Sequence, residues 1–346
     1  MAVVSDPPAR SGAVDLLKTL AIIGVVMIHV SAESIISAVG SPDWYASVFW
    51  GSLVRAAVPI FFMCSGALLL DPAKDVPIRR VYGKYLPRIL AALFFWAAAY
   101  ALLNLSRQGP LSSGALWQAV KELLLFRHHF QLYFLHILLL IYILLPVTRL
   151  LAAAPKPLLR YALALWFILG VALPFARPYY PFDLLKGIPA QYALSLTWSA
   201  AGYSLLGHYL RQYPPKRASR CLLLFLLGFV ITFAGTTLSS LQQGAYAGQF
   251  NEALSPGVCF MAAGLFGWAF ACGTRPNRFF TIAAQASFCV YLVHDFFNIW
   301  RRDWTLTANS FPAALSIPAL SAGVLLCSFA VWMVLSRIPV VKRYLI

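Results

Sequence analysis

The sequence predicts an all-α, polytopic integral membrane protein with about ten transmembrane helices, and three observations carry that prediction. First, 61% of the 346 residues are hydrophobic and only 11% are charged, where a soluble chain carries about 25% charged residues. Second, the apolar residues fall in unbroken runs of about 20, the length a helix needs to cross a bilayer; barrel strands would alternate apolar and polar residues instead. Third, the Lys and Arg sit between those runs. With the amino terminus placed in the cytoplasm, 19 of the 27 fall on cytoplasmic ends and loops, the bias expected of a chain with both termini cytoplasmic. The net charge of +16 then reads as topology rather than as a nucleic-acid-binding surface.

The elements follow in order. Residues 1–13 are polar and read as a cytoplasmic tail, not a secretory signal. The first helix is expected at 14–32. Eleven residues separate Lys18 from His29, which is three turns plus about 20°, so both lie on one face with levels roughly 16 Å apart. The second helix, 48–70, carries Arg55 and the small-residue run Cys64-Ser65-Gly66. A cytoplasmic loop over 71–88 holds Lys74, Arg79, Arg80, Lys84 and Arg88, and it leads into a third helix at 88–106. Further helices are expected at 130–151, 160–176, 190–210, 221–241, 254–273, 279–299 and 313–336; the one at 190–210, the sixth of the chain, is polar, with Ser195, Thr197, Ser199 and His208. All of 1–346 reads as one membrane-embedded domain without internal repeats. The six cysteines lie in or beside apolar runs and form no C-x-x-C pair, so packing is their expected role.

Ionisable groups inside a bilayer are costly and usually mark function. At 1.5 Å per residue, His29, Arg55, His136 and His294 all stand roughly 20–22 Å above the cytoplasmic ends of their helices. Glu33 is expected one turn beyond His29 on the same face, where a carboxylate suits an imidazole acting as general base. Asp295 follows His294. Simpler roles compete. His136 and His208 can bond a neighbouring helix, Arg55 can reach the outer surface, and Lys18 can pair with Asp15 three residues away. The basic loop is either a topogenic segment over anionic lipid or a cradle for a phosphorylated cosubstrate. No nucleotide-binding, hydrolase-elbow or metal-ligand spacing occurs, so no metal is expected.

Asp15-Leu-Leu-Lys18 with His29, the segment Arg55-Ala-Ala-Val-Pro59-Ile-Phe-Phe-Met-Cys-Ser65-Gly66, and Lys84-Tyr-Leu-Pro-Arg88 resemble the membrane-bound acyltransferase 3 family. Leu132-Tyr133-Phe-Leu-His136 and Val290-Tyr-Leu-Val-His294 fit the same pattern, and the resemblance is closest to stand-alone glycan O-acetyltransferases. It implies a multi-pass protein of the bacterial plasma membrane that uses cytoplasmic acetyl-CoA, or another short acyl-CoA, to acylate a hydroxyl of a cell-envelope glycan or lipid-linked sugar. Here Lys18 stands where the family commonly has arginine, and Tyr85 occupies the first position of its Arg-x-x-Arg.

On this reading His29 is the base, oriented by Glu33, with Arg55 or His294 stabilising the oxyanion. Lys18, Arg79, Arg80, Lys84 and Arg88 bind the donor, and Tyr133, His136 and Asp295 face the acceptor. The partners expected are acyl-CoA, the sugar acceptor and membrane lipid, with no nucleic acid. A carrier of a glycan or small polar solute is the alternative, with His29 moving protons at a midplane site.

Overall fold

The computed structural model describes residues 10–346 apart from 73, 110–111, 180 and 182–195. The described residues form helices and no strands. In chain order these are α1 (Gly12–Ser31), α2 (Pro42–Leu53), α3 (Ala57–Leu69), α4 (Ile78–Arg80), α5 (Leu86–Gln108), α6 (Ser113–Leu124), α7 (Tyr133–Ile143) and α8 (Leu145–Ala152). The series continues with α9 (Lys156–Phe167), α10 (Leu173–Ala176), α11 (Leu196–Gln212), α12 (Ala218–Gln243), α13 (Pro256–Ala271), α14 (Arg278–Asp303), α15 (Ala313–Leu335) and α16 (Pro339–Tyr344). Among the described residues, eight segments are long and apolar enough to cross a membrane, and α7 with α8, bent by 61°, supplies a ninth. The expected sixth span corresponds to α11, 17 residues long; Ser195 and the start of that span lie outside the described residues. Besides the short α4 and α16, helix α6 was not expected. Ser112 accepts the Ala115 N–H at 3.1 Å and starts α6 in what had read as a loop.

Prolines set the breaks. Pro59 lacks an N–H and its ring crowds the carbonyl four residues back, which is that of Arg55. The second span accordingly breaks between α2 and α3, and Arg55 sits in the break. Pro146 bends α7 from α8 in the same way. Short π-helical turns, Val81–Tyr85 and Ile168–Ala172, precede Pro87 and Pro174. Inside α15, Pro318 leaves the Ala314 carbonyl without its helical donor, and the Trp50 indole N–H donates to that carbonyl at 3.0 Å.

Packing relies on close backbone approach. A Cβ on Gly66 would fall 1.8 Å from the Ser204 carbonyl oxygen, and one on Gly207 would fall 2.1 Å from that of Met63, so α3 and α11 cross where neither has a side chain. The carboxyl end of α3 is tied down by cations. Lys74 donates to Leu68 O at 2.7 Å, Arg149 to Leu69 O at 2.5 Å, and Arg211 to Ala67 O, satisfying carbonyls that a helix end leaves open. Burial and the neighbouring Arg211 and Arg149 lower the Lys74 pKa against the raising effect of Asp71. Lys74 thus has a structural task, apart from the other cations of the basic loop.

Helix α1 runs through the middle and joins two buried clusters. One includes Val26, Leu93, Leu135 and Leu292; the other includes Leu17, Met63, Met261 and Phe266. Arg10 and Ile346 both lie at the end of the bundle that carries Arg88, because Arg88 donates to Ile346 O at 2.6 Å and both residues line one cavity with it.

Candidate active site

Helices α1 and α14 pack together and bring their histidines into contact. The rings of His29 and His294 are 5.0 Å apart between centroids, tilted by 41°. His294 is wholly buried. Its Nδ1–H donates to the Tyr291 carbonyl at 2.7 Å. That bond assigns the tautomer, so the Nε2 of the neutral ring carries a lone pair and can accept a proton but not donate one. This Nε2 is buried without a hydrogen-bond partner among the described residues.

Glu33 is not the partner of His29. Helix α1 ends at Ser31, and the chain turns at Ala32 into a short 3-10 turn, Ser34–Ile36, so the i+4 relation assumed for a continuous helix fails. Its carboxylate instead meets Arg301 at 2.6 and 3.0 Å, Arg302 at 3.0 Å and the Ala308 N–H at 3.1 Å. This expectation is corrected: Glu33 fastens the end of α1 to the end of α14. Nor does Asp15 hold Lys18. Asp15 accepts from Arg10 at 2.6 and 3.1 Å and from Thr281 at 3.0 Å.

Lys18 is half-buried and has neither a hydrogen bond nor an ion pair among the described residues. It lines a cavity of about 420 Å³ together with Arg88, Ser65, Tyr85, Gln285 and Arg10. Phe61, Phe134 and Tyr291 also line it. Those rings pack at 5.9 Å (Phe61–Phe134) and 5.1 Å (Phe134–Tyr291), and the Tyr291 ring lies 6.1 Å from His294. Tyr291 therefore stands both in the cavity wall and beside His294. Of the other cations expected to bind a donor, Arg88 lines the cavity, whereas Arg79, Arg80 and Lys84 are exposed on α4 and the turn after it and line no part of it. Arg80 donates to Asp75 O at 3.3 Å.

On the other side of His29 lies the connection into α7. His29 meets the Phe130 ring edge-on at 5.5 Å. His129 stacks on Tyr100 at 4.5 Å, and its Nε2 is 3.5 Å from the Asp295 carboxylate. Burial lowers the His129 pKa below its ordinary value, opposed by Asp295 and reinforced by Arg302. His129 Nδ1 and Asn298 Nδ2 are buried without hydrogen-bond partners among the described residues.

The remaining expected residues divide. Arg55 donates from Nε to the Asn251 carbonyl, and its terminal nitrogens have no acceptor among the described residues. His136 pairs with His128 at 3.2 Å, and both line a cavity of about 320 Å³ with Phe130 and Tyr133. Asp295 faces His129, outside that cavity. Among the described residues no three of His, Cys, Asp and Glu are grouped as a metal site groups them.

Comparison with known families decides the class of chemistry. The family described as an acyltransferase domain, acyltransferase 3, matches residues 11–333. The chain belongs to that family. No curated protein and no solved structure matches it. Membership makes the protein a membrane acyltransferase and sets the carrier reading aside. Sequence reasoning missed His129, Gln131 and Arg301 of this acyltransferase. His129 meets Asp295 and Arg301 meets Glu33, partners more than 150 residues away in the chain that no local pattern records.

Proposed function

We propose that the protein is an O-acyltransferase of a bacterial plasma membrane. It moves an acetyl or other short acyl group from cytoplasmic acyl-CoA to a sugar hydroxyl of the cell envelope, with His29 as general base. One observation carries this reading: the rings of His29 and His294 are in contact, and Tyr291, whose ring neighbours His294, lines the same cavity as Lys18 and Arg88. A donor entering at the basic end meets Arg88 and Lys18 first, cations suited to its phosphates. The roughly 16 Å between the levels of Lys18 and His29 is the distance its extended arm has to carry the thioester.

The acceptor hydroxyl oxygen attacks the thioester carbonyl carbon, and His29 takes the hydroxyl proton as the O–C bond forms. The carbonyl oxygen gains negative charge, for which Arg55 is the nearby cation with free donors. The C–S bond then breaks, and the CoA sulfur leaves with the proton returned by His29. Neutral His294, its tautomer fixed by the Tyr291 carbonyl, offers a lone pair toward which a proton on the pair can be shared.

The test is transfer of radiolabel from acetyl-CoA to envelope acceptors by the purified protein in nanodiscs, with Lys18→Met and Arg88→Met alongside. Acetyl-CoA binding that is weakened in both variants supports the reading. Wild-type protein that neither binds acetyl-CoA nor transfers label would sink it.

A further inference from the structure

An imidazole that takes a proton inside a membrane becomes a buried cation, which is costly unless a nearby carboxylate offsets it. The elements packed against α1 carry arginines: Arg55 in the break between α2 and α3, and Arg301 and Arg302 at the end of α14. Glu33 is taken up by the two arginines of α14, which both hold its carboxylate. Of the carboxylates among the described residues, two others are buried, Asp15 and Asp295. Asp15 pairs with Arg10 at the opposite end of α1. Asp295 is 1% exposed and directly follows His294, whose ring touches that of His29. Helices α2, α3, α13 and α15 also pack on α1. The one charged side chain they carry, Asp43, accepts the Ala313 N–H at 2.9 Å.

His129 holds Asp295 in place. It is the carboxylate's ion-pair partner among the described residues, with Nε2 at 3.5 Å. The His129 ring is itself fixed, because it stacks on Tyr100 at 4.5 Å and the buried Tyr100 hydroxyl donates to Leu292 O at 2.8 Å, one turn before Asp295. An Nε2–H directed at the carboxylate makes Nδ1 the bare nitrogen of a neutral ring, in keeping with a buried Nδ1 that lacks a hydrogen-bond partner among the described residues. That N–H favours the ionised carboxylate, and no arginine or lysine pairs with it, so its charge stays available to the histidines. We propose, resting on the O-acyltransferase reading above, that Asp295 is a positioning residue of the proton transfer: kept ionised by His129, it balances the imidazolium formed on the His29–His294 pair. The proton passes from the acceptor hydroxyl to His29 and from there to the departing sulfur. Asp295 neither gains nor loses one; it acts through the low-dielectric interior, the part that Glu33 does not play.

The experiment follows single-turnover transfer from radiolabelled acetyl-CoA to envelope acceptors across pH, with the full-length protein in nanodiscs. Wild type, Asp295→Asn, His129→Leu and the double variant are compared, and acetyl-CoA binding is measured on each. Asn keeps the shape of Asp295 and removes its charge, so the imidazolium becomes harder to form and the base titrates at lower pH. The acidic limb of the Asp295→Asn profile should therefore move down by about one pH unit, with the plateau rate lower by about three- to tenfold. His129→Leu leaves the buried carboxylate without its N–H, so it takes up a proton and should produce the same displacement. The double variant should then be no worse than either single one. Unchanged acetyl-CoA binding shows that the variants are folded; if Asp295→Asn does not bind, His129→Leu carries the same test. An acidic limb that stays in place overturns the proposal and leaves the enzyme reading intact, whether the rate is unchanged or only the acceptor KM rises, as for an acceptor contact. Wild-type protein that transfers no label overturns it together with the O-acyltransferase reading.

Discussion

Replacing Glu33 by Gln separates anchoring from catalysis. In the structure the Glu33 carboxylate receives four hydrogen bonds, two from Arg301 and one each from Arg302 and the Ala308 N–H. The Glu33 and Arg301 side chains are only 14% and 8% exposed, so little solvent screens them. Removing one partner of such a pair leaves a buried charge uncompensated, which costs about 3–5 kcal/mol. Arg301 keeps Asn298 Oδ1 at 3.1 Å and Leu306 O at 2.9 Å, and Gln keeps one acceptor oxygen, so the lower end applies. Unfolding by SDS at fixed lipid ratio, read by tryptophan fluorescence, should report a loss of about 3 kcal/mol. Transfer by the folded fraction should fall less than tenfold. Adding Arg301→Met to Glu33→Gln should recover part of the stability, because the unpaired guanidinium is gone. A stability change under about 1 kcal/mol together with loss of transfer as deep as that of His29→Ala would refute the anchoring role and restore Glu33 as the partner of His29.

Other outcomes follow from the same geometry. Lys18→Met should raise the KM for acetyl-CoA about tenfold, the effect of one lost ionic contact of about 1.4 kcal/mol, with kcat nearly unchanged; steady-state kinetics in nanodiscs checks it, and Lys18→Arg should retain affinity. Gly207→Ala places a Cβ 2.1 Å from the Met63 carbonyl oxygen, so α3 and α11 must part, at a cost of about 1–3 kcal/mol in the same SDS titration. Trp50→Phe strips the Ala314 carbonyl of its indole donor beside Pro318 and should cost about 0.6–1.7 kcal/mol, whereas an equal change in a Pro318→Ala background would show that the indole bond is not the cause.

Much of the fold was legible because membrane helices announce themselves in apolar length and in the placement of Lys and Arg. Prolines were legible in kind, and Pro59 explains why Arg55 sits in a break and not in a continuous helix. Helix α6 escaped notice because twelve amphipathic residues resemble a polar loop once a search is tuned to runs of about 20. Within the site, His29 and His294 stood out as ionisable groups deep in apolar runs, and the structure puts their rings in contact. Glu33 was misplaced because a helical wheel extends a face past the point where the helix stops. Its true partner, Arg301, is 268 residues away, and no local pattern records such a pairing. The basic loop shows the reverse failure: a run of cations looked like one cradle, yet Arg88 alone of Arg79, Arg80, Lys84 and Arg88 reaches the cavity.

The central claim is that His29 takes the proton from the acceptor hydroxyl. Single-turnover transfer from radiolabelled acetyl-CoA, wild type against His29→Ala, tests it most directly, with acetyl-CoA binding measured on the same samples. The rate should fall by about 10²–10⁴-fold, the worth of a positioned general base, at unchanged donor affinity. Transfer by His29→Ala within tenfold of wild type would contradict it.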